Sequence, residues 1–358
     1  MLELDLSATS IDLTRTICDV PSVSDDETVL ADAIDAAVRA LPHLDVHRDG
    51  DTIVARTDGG RAQRVVIAGH IDTVPINGNV PTRDIEIDGE AYVWGRGTVD
   101  MKAGVAVQLK LAAELCDPRV DITWMWYDHE EVDADLNGLT RLAARRPDLF
   151  TADFAILGEP SNGQVEGGCN GNLRAIVRTH GVRAHSARAW IGENAIHKAA
   201  PVLARLAEYR PREVPVEGLV YREGLSAVRI GGGIAGNVIP DLCEVEVNYR
   251  FAPSRSVAEA EEHVRNVREG FEVEVVDVAA GARPGLDAPL AQEFLAAVGG
   301  EARPKYGWTD VARFSALGVP AVNYGPGDPH LAHHDEERVP VAQIEAVEHG
   351  LRAWLKAR

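Results

Sequence analysis

The stretch RVVIAGHID, residues 64–72, indicates the fold, because a continuous apolar run ends in two polar side chains, His70 and Asp72. A short apolar run of this kind is typical of a strand that is buried on both faces of a sheet. Similar strand-like segments lie on either side of it, and helix-like segments alternate with them. The strand-like segments are 52–56, 120–128 and 152–157, and the helix-like segments are 27–41, 101–115 and 135–146. This alternation predicts a layered α/β domain with a mixed or parallel sheet.

A second pattern begins near residue 174, where apolar and polar residues alternate along the chain. Such alternation is typical of antiparallel strands with one exposed face. Strand-like segments are 172–181, 225–233, 243–253 and 271–278, and helix-like segments are 193–209 and 259–269. Residues 281–287 contain Gly and Pro and are expected to form a hinge. Apolar segments typical of a buried core follow it at 319–325 and, as a final helix, at 341–356. We therefore expect a smaller α+β domain, residues 174–282, inserted into a domain formed by 1–173 and 283–358.

The composition excludes several classes of protein. The 358 residues include 36 Lys and Arg against 56 Asp and Glu, a formal net charge of −20. A field of this sign argues against nucleic acid and anionic membranes as partners, and an anionic substrate would need a local basic pocket. The stretch MLELDLSATS has no signal-peptide pattern, and no apolar run approaches the roughly 20 residues of a membrane span. We expect a cytoplasmic protein.

Residues that bind metals or move protons follow the predicted strands. They are His70, Asp72, Asp100, Glu130, Glu131, Glu159 and one of the adjacent pair His333 and His334. Taken singly, Asp100 could merely cap the helix that follows it, and the Glu130–Glu131 pair could lie in a solvated loop. The Gly95-x-Gly97 pair does not predict a dinucleotide loop, because the third glycine is missing.

Taken together, these residues offer the nitrogen and oxygen ligands that proteins use for two zinc-like ions. Two dications side by side need an anionic bridge, and the central Asp100 is the candidate for it. A further carboxylate must take a proton from water, so the Glu130–Glu131 pair can supply both a ligand and a base.

Five motifs resemble, in order, those of the co-catalytic zinc aminoacylase and carboxypeptidase family. They are GHIDTVP (69–75), GRGTVDMKAG (95–104), DHEE (128–131), GEP (158–160) and AHHDEERVP (332–340). Segments 181–198 and 236–241 are similar to the smaller domain of that family. A closer similarity to one type of deacylase lies in segments 130–139, 168–174, 221–225, 248–255 and 307–321. The resemblance implies a mixed-sheet α/β/α zinc-hydrolase domain with an inserted α+β lid and dimerisation domain.

The resemblance also implies two divalent metal ions per chain, with zinc as the first expectation and cobalt as the alternative. The implied ligands are His70, Asp100 and Glu159 for one ion, and Asp100, Glu131 and His333 for the other. The spacing of the family motif selects His333 rather than His334. The family pattern further implies a cis peptide between Asp100 and Met101.

The resemblance gives the remaining residues catalytic or binding roles. Asp72 would orient His70, and Glu130 would be the general base. His185 would reach from a partner subunit and stabilise the oxyanion, which implies a homodimer formed through the inserted domain. The implied substrate-binding residues are Asn237, Arg250, Thr309 and Gly325.

The activity that this similarity implies is hydrolysis of the amide bond in a small, anionic N-acyl amino acid. The alternatives within the family are an N-acetylornithine deacetylase, an aminoacylase and a dipeptidase. A more distant alternative is a non-catalytic dimer that binds a small ligand.

Overall fold

Two units are present in the computed structural model, which describes residues 2–267 and 269–356. Unit 1 comprises Met1–Gly167, Pro284–Arg303 and Thr309–Arg358, and unit 2 comprises Gly168–Arg283 and Pro304–Trp308. Unit 2 therefore begins before residue 174, the expected boundary, and also takes in residues 304–308.

The strands are numbered in chain order: β1 (Asp45–Asp49), β2 (Thr52–Arg56), β3 (Arg64–His70), β4 (Arg83–Ile87), β5 (Glu90–Trp94), β6 (Asp121–Tyr127), β7 (Phe154–Leu157), β8 (Glu166–Gly167), β9 (Gly171–His180), β10 (Ala184–His185), β11 (Glu213–Val216), β12 (Leu219–Arg222), β13 (Gly224–Gly232), β14 (Val238–Ile239), β15 (Leu242–Phe251), β16 (Glu272–Ala279), β17 (Arg303–Pro304), β18 (Ala321–Asn323) and β19 (Arg338–Pro340). The α-helices are α1 (Ser10–Cys18), α2 (Thr28–Arg39), α3 (Lys102–Glu114), α4 (Gly138–Arg145), α5 (Ala195–Lys198), α6 (Ala200–Glu208), α7 (Val257–Val267), α8 (Pro289–Val298), α9 (Val311–Ala316) and α10 (Val341–Leu355).

Unit 1 is built on an eight-stranded sheet with the order β1-β2-β6-β3-β7-β18-β8-β17. The central strands β6, β3, β7 and β18 are parallel, whereas β1, β2 and β8 pair antiparallel with their neighbours. The sheet is therefore mixed.

Both faces of this sheet are covered by helices. In β3, Val65 and Ile67 belong to a core cluster with residues of α1, α2, α3, α8 and α10. Val66 and Ala68 are equally buried and alternate with them, so they point to the opposite face, where α4 and α9 contact the sheet. The α/β/α prediction for this domain is confirmed.

A separate three-stranded sheet, with the order β19-β5-β4, lies in the same unit. Strands β5 and β19 are antiparallel, and Trp94 pairs with Arg338. Because β5 ends where β19 begins, the loop after residue 94 and the loop before residue 338 leave the sheet side by side. These two loops carry Asp100 and His333. The peptide bond between Asp100 and Met101 is cis.

Unit 2 contains a four-stranded antiparallel sheet with the order β13-β15-β9-β16. In β15 every second residue is buried, and these residues form a core with those of β9, α6 and α7. The alternation seen in the sequence thus reflects a sheet with helices on one face, which confirms the α+β prediction.

The predicted helix over 193–209 is wrong in one respect, because it divides at Ala199 into α5 and α6. Pro201 has no backbone N–H to donate to the preceding turn, so it is tolerated only in the first turn of a new helix. None of the helices within the described ranges has the length and apolar character of a membrane span.

Candidate active site

Parallel pairing brings three chain segments to one edge of the large sheet. His70 pairs with Tyr127, and Ala68 pairs with Leu157, so β3, β6 and β7 end at neighbouring positions. The residues that follow these ends include Asp72, Glu130, Glu131 and Glu159. In open α/β sheets, ligands bind at the carboxyl ends of the strands.

Asp100 lies between two histidines. Its Oδ1 is 3.1 Å from Nε2 of His70, and its Oδ2 is 3.4 Å from Nε2 of His333. Helix α3 begins at Lys102 with Met101 as its N-cap, so the simpler interpretation of Asp100 as a helix cap is wrong. A carboxylate with one oxygen toward each histidine has the arrangement that a bridging ligand requires.

Glu131 completes this ligand cluster. Its Oε1 is 3.0 Å from Nε2 of His333. One ligand atom each from His70, Asp100 and Glu131 lies within 4.8 Å of the others. The unit thus contains a His–Asp–Glu group that could hold a metal ion, with His333 beside it.

The ring of His70 is oriented by Asp72. Its Nδ1 lies 3.0 Å from the Asp72 carbonyl oxygen and 3.4 Å from the Asp72 carboxylate. With the Nδ1 proton donated there, Nε2 is left to act as a ligand. Burial disfavours the charged ring, yet hydrogen bonds to Asp100 and Asp72 raise the pKa of His70 well above its ordinary value.

Asp72 also holds the glutamate pair by its backbone. Its carboxylate accepts hydrogen bonds from the N–H of Glu130, at 3.0 Å, and of Glu131, at 3.1 Å. The Ser24 hydroxyl donates to the same carboxylate at 2.7 Å. Burial raises the pKa of Asp72, but the hydrogen bond and charge of His70, together with the N–H groups of Glu131 and Glu130, outweigh it and keep the pKa below its ordinary value. Ser24 was not predicted, because a serine in a loop carries no sequence signal for such a contact.

Glu130 has the environment of a general base. Burial raises its pKa well above the ordinary value, His70 opposes this, and the negative charges of Asp310, Glu159 and Glu131 raise it further. A raised pKa makes a carboxylate a stronger proton acceptor, which suits it to proton transfer. Asp310 is fully buried and was not identified as a site residue, although it lies in the segment 307–321 that carries part of the family resemblance.

Three further residues of the predicted set lie in unit 1. Glu159 is 5% exposed and directly follows Gly158 at the end of β7. A Cβ on Gly325 would lie 2.1 Å from the Gly158 carbonyl oxygen and 2.6 Å from that of Glu159, so glycine permits the close packing of this strand end. Thr309 is buried, and its hydroxyl donates to Asn323 at 3.0 Å.

The remaining predicted residues lie in unit 2. His185 and Asn237 are both exposed and adjacent, since the N–H of Ser186 donates to the Asn237 carbonyl oxygen at 2.8 Å. Arg250 lies on β15, where its Nε donates to Asn248 at 3.2 Å and burial lowers its pKa.

The two adjacent histidines differ in surroundings. His333 faces Asp100 and Glu131, whereas Nδ1 of His334 accepts a hydrogen bond from the N–H of Glu336 at 3.0 Å. His333 has a positive φ of 64°, a backbone conformation that residues other than glycine adopt infrequently.

We expect metal binding to release protons. Hydrogen bonds to Asp100 and Glu131 raise the pKa of His333 from 6.5 to about 10. Below that pH the ring of the metal-free protein holds an extra proton, which an ion must displace, so affinity rises with pH through the neutral range. Calorimetric titrations in buffers of different ionisation enthalpy measure the protons released. Heats that do not depend on the buffer would contradict this expectation.

Comparisons of the sequence with known proteins identify relatives that are hydrolases. The model of peptidase family M20/M25/M40 matches residues 66–357. A Mycobacterium tuberculosis protein named as a succinyl-diaminopimelate desuccinylase is 53% identical over 355 residues, which cover 98% of this chain and 99% of the relative. The succinyl-diaminopimelate desuccinylase of Corynebacterium glutamicum is 48% identical over 363 residues, covering 98% and 97%.

Solved structures show the same fold. A tripeptidase from Staphylococcus aureus superposes with a TM-score of 0.79 at 19% identity, covering 99% of each chain. The YXEP protein of Bacillus subtilis, described as a dinuclear metal-binding peptidase of the M20 family, gives a TM-score of 0.70 at 17% identity, covering 96% of each chain. The family resemblance seen in the motifs is confirmed, and the chain belongs to peptidase family M20/M25/M40.

Proposed function

We propose that this protein is a succinyl-diaminopimelate desuccinylase. It hydrolyses N-succinyl-LL-2,6-diaminopimelate to succinate and LL-2,6-diaminopimelate, a step of lysine and diaminopimelate biosynthesis. The observation that carries this proposal is the identity of 53% and 48%, over nearly the whole chain, to relatives that bear this name. The site in unit 1 supplies the donors and the base that such a hydrolysis requires.

The donor set fits a pair of divalent ions. His70, Asp100 and Glu159 would hold one ion, and Asp100, Glu131 and His333 the other, with zinc as the first choice and cobalt as the alternative. The fit rests on Asp100, whose two oxygens face the two histidines, and on the nitrogen and carboxylate donors around it. When bound, such ions supply Lewis acidity, which lowers the pKa of a water and polarises the amide carbonyl.

Glu130 carries the proton transfers. Its carboxylate accepts a proton from the attacking water and later delivers it to the leaving amine, which the raised pKa favours. Asp72 keeps this carboxylate in place through the two amides it binds, and keeps the Nε2 of His70 free of a proton in the loaded enzyme.

Unit 2 supplies recognition of the anionic substrate. The substrate has a carboxylate on the succinyl group and one at each end of diaminopimelate, in a protein of net charge −20. Arg250, partly buried on β15, provides a cation for one of them, and Asn237 provides an amide. Thr309 and Gly325 are the residues of unit 1 that we propose for substrate binding. His185 from a partner subunit donates to the developing oxyanion.

A second copy of the chain is the proposed partner. Strand β13 is at the edge of the sheet that the described residues form, and residues 226–232 along it are all exposed. Val228 is 58% exposed and Ile230 is 48% exposed. An exposed edge strand with apolar side chains is a template for pairing with another chain.

Ile230→Lys is expected to give a monomer, since a charge on an edge strand opposes pairing. Turnover should fall on the order of 10²-fold, as in a His185→Ala variant, because both lose the partner's oxyanion donor. Light scattering after size-exclusion chromatography measures the oligomeric state, and kcat measures the loss of turnover. Val276→Lys is the matched control, because Val276 is 44% exposed on the opposite edge strand β16. A monomeric wild type would contradict the dimer.

A panel of acyl substrates tests the function. Protein reconstituted with zinc or cobalt is given N-succinyl-diaminopimelate, N-acetylornithine, other N-acyl amino acids and dipeptides, and kcat/KM is compared. We expect the succinyl substrate to lead by at least about tenfold, since a missing hydrogen bond to a charged group costs about 1.5 kcal/mol or more. A higher kcat/KM for another member of the panel would reassign the substrate, and inactivity on all of them in the presence of bound metal would favour a binding protein.

A further inference from the structure

Glu337 has no part in the mechanism above, although its carboxylate is only 1% exposed. It lies at the end of the loop that carries His333, just before β19. A buried charge is costly unless it is paired and hydrogen-bonded, so the contacts of this carboxylate indicate what it does.

Its two oxygens bind the loop that carries Asp100. Oε1 accepts hydrogen bonds from the N–H of Val99, at 2.9 Å, and of Asp100 itself, at 3.0 Å. Oε2 accepts from Nη1 of Arg96 at 2.9 Å. Arg96 is 3% exposed, and its Nη1 also donates to the His334 carbonyl oxygen at 3.3 Å. Each loop thus contributes one member of the ion pair. The loop with Asp100 donates hydrogen bonds to Glu337 and to the His334 carbonyl oxygen of the other loop.

The small sheet explains why the two loops meet. After the last pair, Trp94 with Arg338, the N–H of Gly95 donates to the Glu337 carbonyl oxygen at 2.9 Å. Beyond that bond the loops have left the ladder, and their ends carry Asp100 and His333, whose side chains lie 3.4 Å apart. The Glu337 carboxylate and Arg96 span the gap between the end of the ladder and these two side chains.

The chemistry of the contacts requires a carboxylate. Glu337 faces N–H donors at both oxygens, and an amide would turn an NH₂ group toward one set of them. Burial and the nearby negative charge of Asp100 raise the pKa of Glu337, whereas the backbone N–H groups of Asp100 and Val99 oppose this rise. Arg96 supplies the positive charge that pairs with the carboxylate.

We propose that Glu337, paired with Arg96, is a positioning residue that fixes Asp100 and His333 at the separation needed to share a metal ion. This inference rests on the proposed metal site. Groups that orient metal ligands typically contribute 10–100-fold to affinity or activity without touching the ion.

The test is Glu337→Gln, studied first by metal binding and only then by turnover. We expect the apparent Kd for cobalt to rise by about 10–100-fold and the visible absorption spectrum of the cobalt-loaded protein to change. We expect kcat to fall and KM to change little, because the substrate does not contact this residue. Circular dichroism of the metal-free variant checks that it folds.

Glu336→Gln is the matched control. Glu336 is the neighbouring residue, and its Oε2 accepts from the Trp94 indole at 3.3 Å, a bond that a glutamine oxygen keeps. If Glu337→Gln does not fold, Arg96→Lys is the alternative test. Lysine keeps the positive charge but lacks the several N–H donors of the planar guanidinium group. Cobalt should again bind more weakly, with an altered spectrum.

Wild-type cobalt affinity and spectrum in the folded variant would overturn the proposal. Because this readout needs no substrate, it is independent of the acyl panel. A failed panel with an altered cobalt spectrum would refute the desuccinylase function and leave the role of Glu337 standing.

Discussion

Replacement of Glu130 by glutamine is expected to remove nearly all turnover while the fold and the metal content are retained. The amide has nearly the same shape but cannot accept the proton of the attacking water. General acid–base catalysis is worth about 10²–10⁴-fold, so kcat should fall by that amount. Retention of more than about a tenth of the wild-type kcat would rule out Glu130 as the base.

The structure explains why Glu130→Gln should preserve the site around it. The N–H of Glu130 and that of Glu131 are held by Asp72, and this anchor does not involve the Glu130 side chain. Metal content by elemental analysis and the thermal unfolding midpoint should therefore match the wild type. Asp133→Asn is the control, since Asp133 is exposed in the same loop and should leave kcat unchanged.

The main elements of the fold could be predicted from the sequence where burial leaves a periodic signal. Strand β3 is an apolar run because both of its faces are covered, and β15 alternates because only one face is covered. The small sheet was not predicted, because β4 and β5 are largely exposed and β19 spans only Arg338–Pro340. Its pairing joins residues that are far apart in the chain, which a local pattern does not reveal.

The site could be predicted to a similar extent. Chemically active residues placed after apolar strands already indicated a common edge, and the family motifs added their roles. The contacts of Asp72 with two backbone amides, and of Glu337 with two others, depend on tertiary structure alone. Backbone N–H groups do not depend on the type of side chain. The sequence pattern therefore does not indicate which of them a carboxylate will bind.

Asp100→Asn is expected to cost the protein at least one bound ion and most of its activity. Asp100 presents one oxygen to His70 and the other to His333, and an amide would present an NH₂ group to one of these rings. The bridging negative charge would be lost as well. Because Lewis acidity is worth several kcal/mol and about 1.4 kcal/mol is tenfold in rate, we expect kcat/KM to fall on the order of 10³-fold.

The metal-free Asp100→Asn protein gives an independent measurement. Asp100 is the largest cause of the raised pKa of His333, so that pKa should move back toward 6.5, which NMR titration of the ring can follow. Asp88→Asn is the control, because Asp88 is exposed and its φ of 53° is one that asparagine adopts readily. Full metal content together with an unshifted His333 pKa in Asp100→Asn would contradict a bridging role, because both properties depend on the same two carboxylate oxygens.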